Sequence, residues 1–188
     1  DSVNLAGSYA LFITSPAYVG TITDIAALAH LCHQQDSVLI VDQAWGAHLD
    51  FLDGRGAHSQ GADVVTTSVH KALTGYSQTA VTSLKGKRVL PSTLSHGVDL
   101  TATTSPSATL LASIDATRVA LMRDGGRRLE LLTEAVNDAR EALSRISGVV
   151  ALNEALLGCA VDPLKLTIFV PETGTTGSAI AAELWDKG

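Results

Sequence analysis

Apolar positions along the chain fall into short unbroken runs and longer periodic stretches, separated by polar, glycine-rich passages. Tyr9 to Ile13 predicts a short buried strand, ended by Thr14-Ser15-Pro16 because proline cannot donate to a ladder. Thr23-Asp24 offers an N-cap to a helix running to about His33, in which Ile25, Leu28, Ala29 and Leu31 share one face. The unbroken Val38-Leu39-Ile40-Val41 predicts a strand buried on both faces, as in a parallel sheet covered by helices. Beyond the polar passage from Asp50 to Gly61, Asp63 to Thr67 predicts a third strand. Gln78 to Leu84 predicts a fourth, which its short connection makes antiparallel. The fold class expected is α/β, three-layered, with a mostly parallel mixed sheet.

Ser95 to Ala108, rich in Thr and Ser and containing Pro106, predicts a loop or linker. A long helical region follows from about Leu110 to Ile146, with Gly125-Gly126 expected to bend or interrupt it. Past Gly148 a second α/β pattern begins, with strands at Val149 to Leu152 and Leu164 to Val170 and a helix over Gly177 to Lys187. The organisation expected is part of a large domain over 1–108, connecting helices over 109–147 and the start of a smaller C-terminal domain over 148–188. A first residue other than Met, and a last one just past a helix, suggest a piece of a longer protein.

Composition narrows the function classes. With 188 residues, 46% hydrophobic and 17% charged, the chain can bury a core. Its net charge of -6 offers no basic patch for nucleic acid. No apolar run reaches the ~20 residues that span a bilayer, and no signal peptide pattern opens the sequence. Cys32 and Cys159 are far apart, which argues against a disulfide framework and favours a reducing, cytoplasmic setting. His30, His33, His58 and His96 lack partners at metal-ligand spacing, so no metal site is expected.

Candidate chemistry gathers where strands end. In mostly parallel sheets ligands bind beyond the carboxyl ends of the strands. Asp42 ends the second strand, and Ser68-Val69-His70-Lys71 ends the third. An acid on one strand and a single lysine on the next suit pyridoxal 5'-phosphate, whose aldehyde a lysine holds and whose ring nitrogen an acid pairs with.

Val41-Asp42-Gln43-Ala44-Trp45-Gly46-Ala47-His48, Gly61-Ala62-Asp63, Ser68-Val69-His70-Lys71 and Gly75-Tyr76-Ser77-Gln78 together resemble the pyridoxal phosphate-dependent ornithine/lysine/arginine decarboxylase family, of fold type I, the aspartate aminotransferase class. The resemblance extends to Thr14-Ser15-Pro16-Ala17-Tyr18-Val19-Gly20 and to Thr103-Thr104-Ser105-Pro106-Ser107. It implies the large domain of such an enzyme, incomplete here, acting on an amino acid substrate and expected to form a homodimer or higher homo-oligomer. Lys71 would be the Schiff-base lysine, Asp42 the partner of the ring nitrogen, and Ser68 a phosphate ligand. His70 would contact phosphate or substrate or shuttle a proton, and Trp45 would wall the pocket. Thr104 and Ser105 are candidates for a phosphate contact given to a neighbouring subunit, against the reading of a plain linker. For His48 and Tyr18 a structural role is favoured.

The family's upstream phosphate loop and ring-stacking residue are not found in this sequence. Three readings therefore stay open. They are decarboxylation of an amino acid, expected to be basic; transamination or carbon–carbon lysis on the same scaffold; and a non-catalytic interaction module.

Overall fold

The computed structural model describes residues 4–52, 54–102, 105 and 107–188. Its first half is a four-stranded sheet of β1 (Ala10–Thr14), β2 (Val38–Asp42), β3 (Val64–Ser68) and β4 (Ala80–Leu84), in that spatial order. The first three strands are parallel and β4 is antiparallel to β3, as their connections dictate. Helix α1 (Ile25–Gln34) forms the crossover between β1 and β2, and the Asp24 carboxylate caps it by accepting from the Ala27 N–H at 2.9 Å.

Strand alternation decides what each face of the sheet meets. Leu39, Val41 and Val65 turn to one face and pack with Ile25, Ala29 and Cys32 of α1, with Leu11 and Ile13 at the margin. On β2 only alternate residues are fully buried, and Val38, Ile40 and Asp42 are half-buried. The opposite face carries Phe12, which is 63% exposed, and Thr82, also exposed. The second helical layer that the apolar β2 run predicts is therefore not seen among the described residues.

Beyond the sheet, three expectations need correction. Pro91–Thr101 is a helix, α3, where a linker is predicted from Ser95. Pro91 occupies its first turn, where a missing N–H costs nothing, and Thr101 returns its hydroxyl to the Gly97 and Val98 carbonyls. The long helix α4 (Ala108–Ser144, 37 residues) runs through Gly125-Gly126 without a break. Gly125 lies against Leu121 of the same helix, and an Asp124–Arg128 ion pair one turn apart spans the glycines at 2.7 Å. The strand predicted at Leu164 to Val170 is reduced to β6 (Ile168–Phe169), paired with β5 (Val150–Ala151). Its first part is spent on a turn: the Asp162 carboxylate accepts from the Leu164 N–H at 2.9 Å, and Pro163 cannot donate to a ladder. Helices α5 (Glu154–Leu157) and α6 (Gly177–Lys187) complete the chain. Among the described residues no helix is long and apolar enough to cross a membrane.

Two local knots position the strand ends. Buried Gln43 donates to Asp50 at 3.0 Å and accepts from the Ala57 N–H at 2.8 Å, fixing the loop that follows β2. After β3 a single helical turn, α2 (Val69–Ala72), is clamped by buried Thr79, whose carbonyl accepts from both the Val69 N–H and His70 Nδ1, each at 2.9 Å. Gly75 lies so close to this clamp that a Cβ there would come 2.4 Å from Thr79 Oγ1 and 2.8 Å from Val69 Cγ1. Helix α4 braces the same loop, Ser113 accepting from the Tyr76 N–H at 2.7 Å and Thr117 meeting Thr74 at 3.2 Å.

Gly75→Ala is expected to cost about 1–3 kcal/mol by overpacking the clamp. Gly126→Ala, where a Cβ meets nothing within 4 Å in mid-helix, is expected to stabilise by about 0.5–1 kcal/mol. Paired thermal melts read both, and a neutral Gly75→Ala would contradict the packing. Burial pushes the Cys32 thiol up from its ordinary range, with the negative charge of Asp63 adding to the effect. Alkylation of the folded protein should therefore mark exposed Cys159 and spare Cys32, as peptide mass spectrometry would show.

Candidate functional site

Parallel pairing sets Thr14 beside Asp42 and Asp42 beside Thr66, so β1 and β2 end level and β3 runs two residues further, to Ser68. Asp42, Thr66 and Ser68 turn to the same face of the sheet by strand alternation. Lys71 follows within one helical turn. One Asp42 carboxylate oxygen accepts from the Ala44 N–H at 2.9 Å, and the other takes no hydrogen bond among the described residues. Ser68 is buried, and its hydroxyl is without a hydrogen bond there.

The β2 loop turns back over this edge and presents an aromatic surface. Trp45 and Tyr18 meet edge to face, with ring centroids 5.0 Å apart and planes at 79°. The Lys71 Nζ stands 4.6 Å from the Trp45 ring centroid. A second ammonium, that of Lys165, stands 4.6 Å from the same centroid and 4.8 Å from that of Tyr18. Trp45 thus contacts Lys71 directly, and Tyr18, although 68% exposed, forms the neighbouring wall.

His70 is oriented by its Thr79 clamp. The carbonyl can only accept, so Nδ1 carries the proton and Nε2 holds the lone pair in the neutral ring. His48 makes a buried contact of its own. Its Nε2 donates to Asp162 at 2.8 Å in a pair of which each side chain is 3% exposed. Its buried Nδ1 has no partner among the described residues, which an unprotonated nitrogen tolerates better than an N–H would. Ser105 is exposed in the connection from α3 to α4 without a hydrogen bond to the other candidates, and Thr104 lies outside the described residues.

Sequence reading passed over several participants. His33 does have an acidic partner, Asp63, at 3.0 Å, but this pair also serves the Leu39 N–H and anchors β2 to β3. Among the described residues no cluster of three or more His, Cys, Asp or Glu could hold a metal ion. Lys165 and the Asp162 turn were invisible because the contacts that bring them here cross more than a hundred residues. The one local signal, Asp162-Pro163, marks a turn rather than a site. A groove of about 570 Å3 between Asp24, Arg55, Gln60, Glu154 and Cys159 includes none of the candidates. The Lys71 edge is instead an open rim.

The residues present fit pyridoxal phosphate in kind: a primary amine, a carboxylate oxygen and a hydroxyl that are unpaired among the described residues share one sheet end with an aromatic wall.

Comparison with known proteins gives the family. The family described as Orn/Lys/Arg decarboxylase, major domain, matches residues 3–157. An arginine decarboxylase of Bacillus subtilis (strain 168) is 32% identical over 181 residues, which is 93% of this chain and 36% of that protein. The chain therefore spans just over a third of that relative's length. The constitutive lysine decarboxylase of E. coli superposes with a TM-score of 0.72 at 20% identity, over 95% of this chain and 31% of that one. A ureidoglycine-glyoxylate aminotransferase of Bacillus subtilis gives 0.67 at 14% identity, over 97% and 51%. These structures share the fold type I architecture of the α/β half. By the extent of the sequence match, the chain belongs to the Orn/Lys/Arg decarboxylase family and carries part of its major domain.

Proposed function

We propose that this chain is the lysine-bearing part of a pyridoxal phosphate-dependent decarboxylase of a basic amino acid. The observation that carries the reading is the meeting of Asp42, Ser68 and Lys71 at one sheet end, with Lys71 Nζ over Trp45. Arginine is the first substrate to test, since the curated relatives are arginine decarboxylases. In the same reading 1–108 belong to the cofactor-binding domain, 109–147 connect, and 148–188 begin the smaller one.

When bound, the cofactor supplies an electron sink for the pair left at Cα as CO2 departs. This chain's residues would hold and tune it. Lys71 is the amine for the aldehyde, and the backbone of its loop is clamped by Thr79, Gly75 and α4. Asp42 offers its unused carboxylate oxygen to the ring nitrogen, and its negative charge favours the protonated ring. The Ser68 hydroxyl is available to a phosphate oxygen. His70 Nε2, its ring fixed through Nδ1, is positioned to accept a hydrogen bond or, when protonated, to deliver a proton. Trp45 covers Lys71 and limits water on that side. Thr104 and Ser105 are assigned to the phosphate contact with a second subunit, in a homodimer or larger homo-oligomer.

In the full-length protein, Lys71→Ala should abolish the lysine-dependent visible absorbance after addition of pyridoxal phosphate, together with release of amine and CO2 from arginine. Asp42→Asn should retain cofactor but lower kcat about 100-fold or more, by analogy with loss of a preorganised electrostatic partner. A keto acid as product would replace decarboxylation by transamination. A full-length protein with no lysine-dependent band would leave the interaction-module reading.

A further inference from the structure

Lys165 is the one candidate-site cation that the reaction outlined above leaves without a task. Its ammonium lies against both rings of the Tyr18–Trp45 pair and forms no ion pair among the described residues. The main chain that carries it is held from several sides. Its carbonyl accepts from Arg140 Nη2 at 2.7 Å, and the neighbouring Asp162 and Pro163 carbonyls accept from the same guanidinium at 3.2 Å each. The Asp162 carboxylate is pinned by buried His48, and the Asp162 N–H donates to the Gly20 carbonyl at 2.8 Å.

Gly20 supplies the passage for the side chain. At φ +98°, a conformation side chains rarely adopt, it lies so close that a Cβ would come 2.8 Å from Lys165 Cγ. The lysine stem is therefore threaded past a residue that has to be small.

We propose that Lys165 is the ligand of the substrate's α-carboxylate, and that it thereby separates the amino acid from its amine product. This rests on the assignment of Lys71 as the amine that the substrate amino group replaces. Both Nζ atoms stand 4.6 Å from the Trp45 centroid, so they are separated by no more than twice that distance. An amino acid whose nitrogen arrives at Lys71 thus lies against the same indole as Lys165, whose flexible stem can turn its ammonium toward the carboxylate. The other oxyanion available is the cofactor's phosphate, but its candidate ligands, Ser68 and His70, are tied to the β3–β4 side. Lys165 lies over the loops that follow β1 and β2, on the other side of Asp42.

The electrostatics favour the same orientation. A basic substrate has a distal cation, which two lysines at this rim repel, while the carboxylate is attracted. Once CO2 has left, the product carries only positive groups and loses its hold on Lys165. A salt link to the departing carboxylate strengthens ground-state binding at least as much as the transition state. Lys165 should therefore govern KM and product release more than kcat.

The test uses the full-length protein loaded with pyridoxal phosphate. Rapid-mixing absorbance of the bound cofactor, read before turnover, gives affinities for L-arginine and agmatine. Dialysis of the cofactor-free protein gives the affinity for pyridoxal phosphate, and melting confirms the fold. Lys165→Met, which keeps the stem against the rings, should weaken arginine about tenfold or more, leave agmatine unchanged or tighter, and leave cofactor affinity unchanged. Lys165→Arg should restore most of the discrimination. An unchanged arginine-to-agmatine ratio in Lys165→Met would overturn the proposal, and so would a loss of pyridoxal phosphate affinity, which would give Lys165 to the phosphate. A lysine-bound band that survives Lys71→Ala would instead remove the underlying assignment of the site.

Discussion

The site depends on strand register. Because β1, β2 and β3 are parallel with Thr14, Asp42 and Thr66 abreast, an acid and a lysine from distant stretches of sequence emerge at one end of one sheet. A slip of one residue would turn Asp42 to the other face and exchange Leu39 and Val41 for half-buried neighbours in the core with α1. Packing against α1 and chemistry at the strand ends are thus fixed by the same pairing. The His33–Asp63 contact and the Asp63 bond to the Leu39 N–H secure that pairing at the opposite end of the strands.

Lysine placement adds a second constraint, which works through backbone rather than burial. The side chain of Lys71 is exposed apart from its contact with the Trp45 ring, so burial of the lysine does not hold its loop. The turn is determined from beneath, by a buried threonine carbonyl, a glycine without room for a methyl group and two hydroxyls of α4. Helix α4 is therefore more than a connector between two parts of the chain. It braces the segment that carries Lys71.

The sequence made the α/β half legible because each element there has a local signature. Asp24 at its cap, the Val38 to Val41 run and Pro16 after β1 all act within a few residues. Misreadings arose where local preference was overridden. Thr and Ser over 95–101 suggest a loop, yet Pro91 opens a helix that continues through them. Gly125-Gly126 suggests a break, yet the neighbouring ion pair and Leu121 keep α4 continuous. Asp42, Ser68, His70, Lys71 and Trp45 could be named as candidates because motif and strand end coincide. Lys165 could not, since its place depends on Gly20, His48 and Arg140, residues that only the folded chain brings together.

The buried His48–Asp162 bond also bears on how the molecule comes into being. It joins positions 114 residues apart, the kind of contact whose loop-closure entropy must be met before it gives any return. The strands that carry Asp42 and lead to Lys71 lie early in the chain, all before residue 85. The aromatic rim acquires its second ammonium only once the turn at Asp162 has docked. During synthesis, the lysine end of the sheet would therefore exist for some time as a half-built rim, complete in its strands while the segment that finishes it has yet to leave the ribosome.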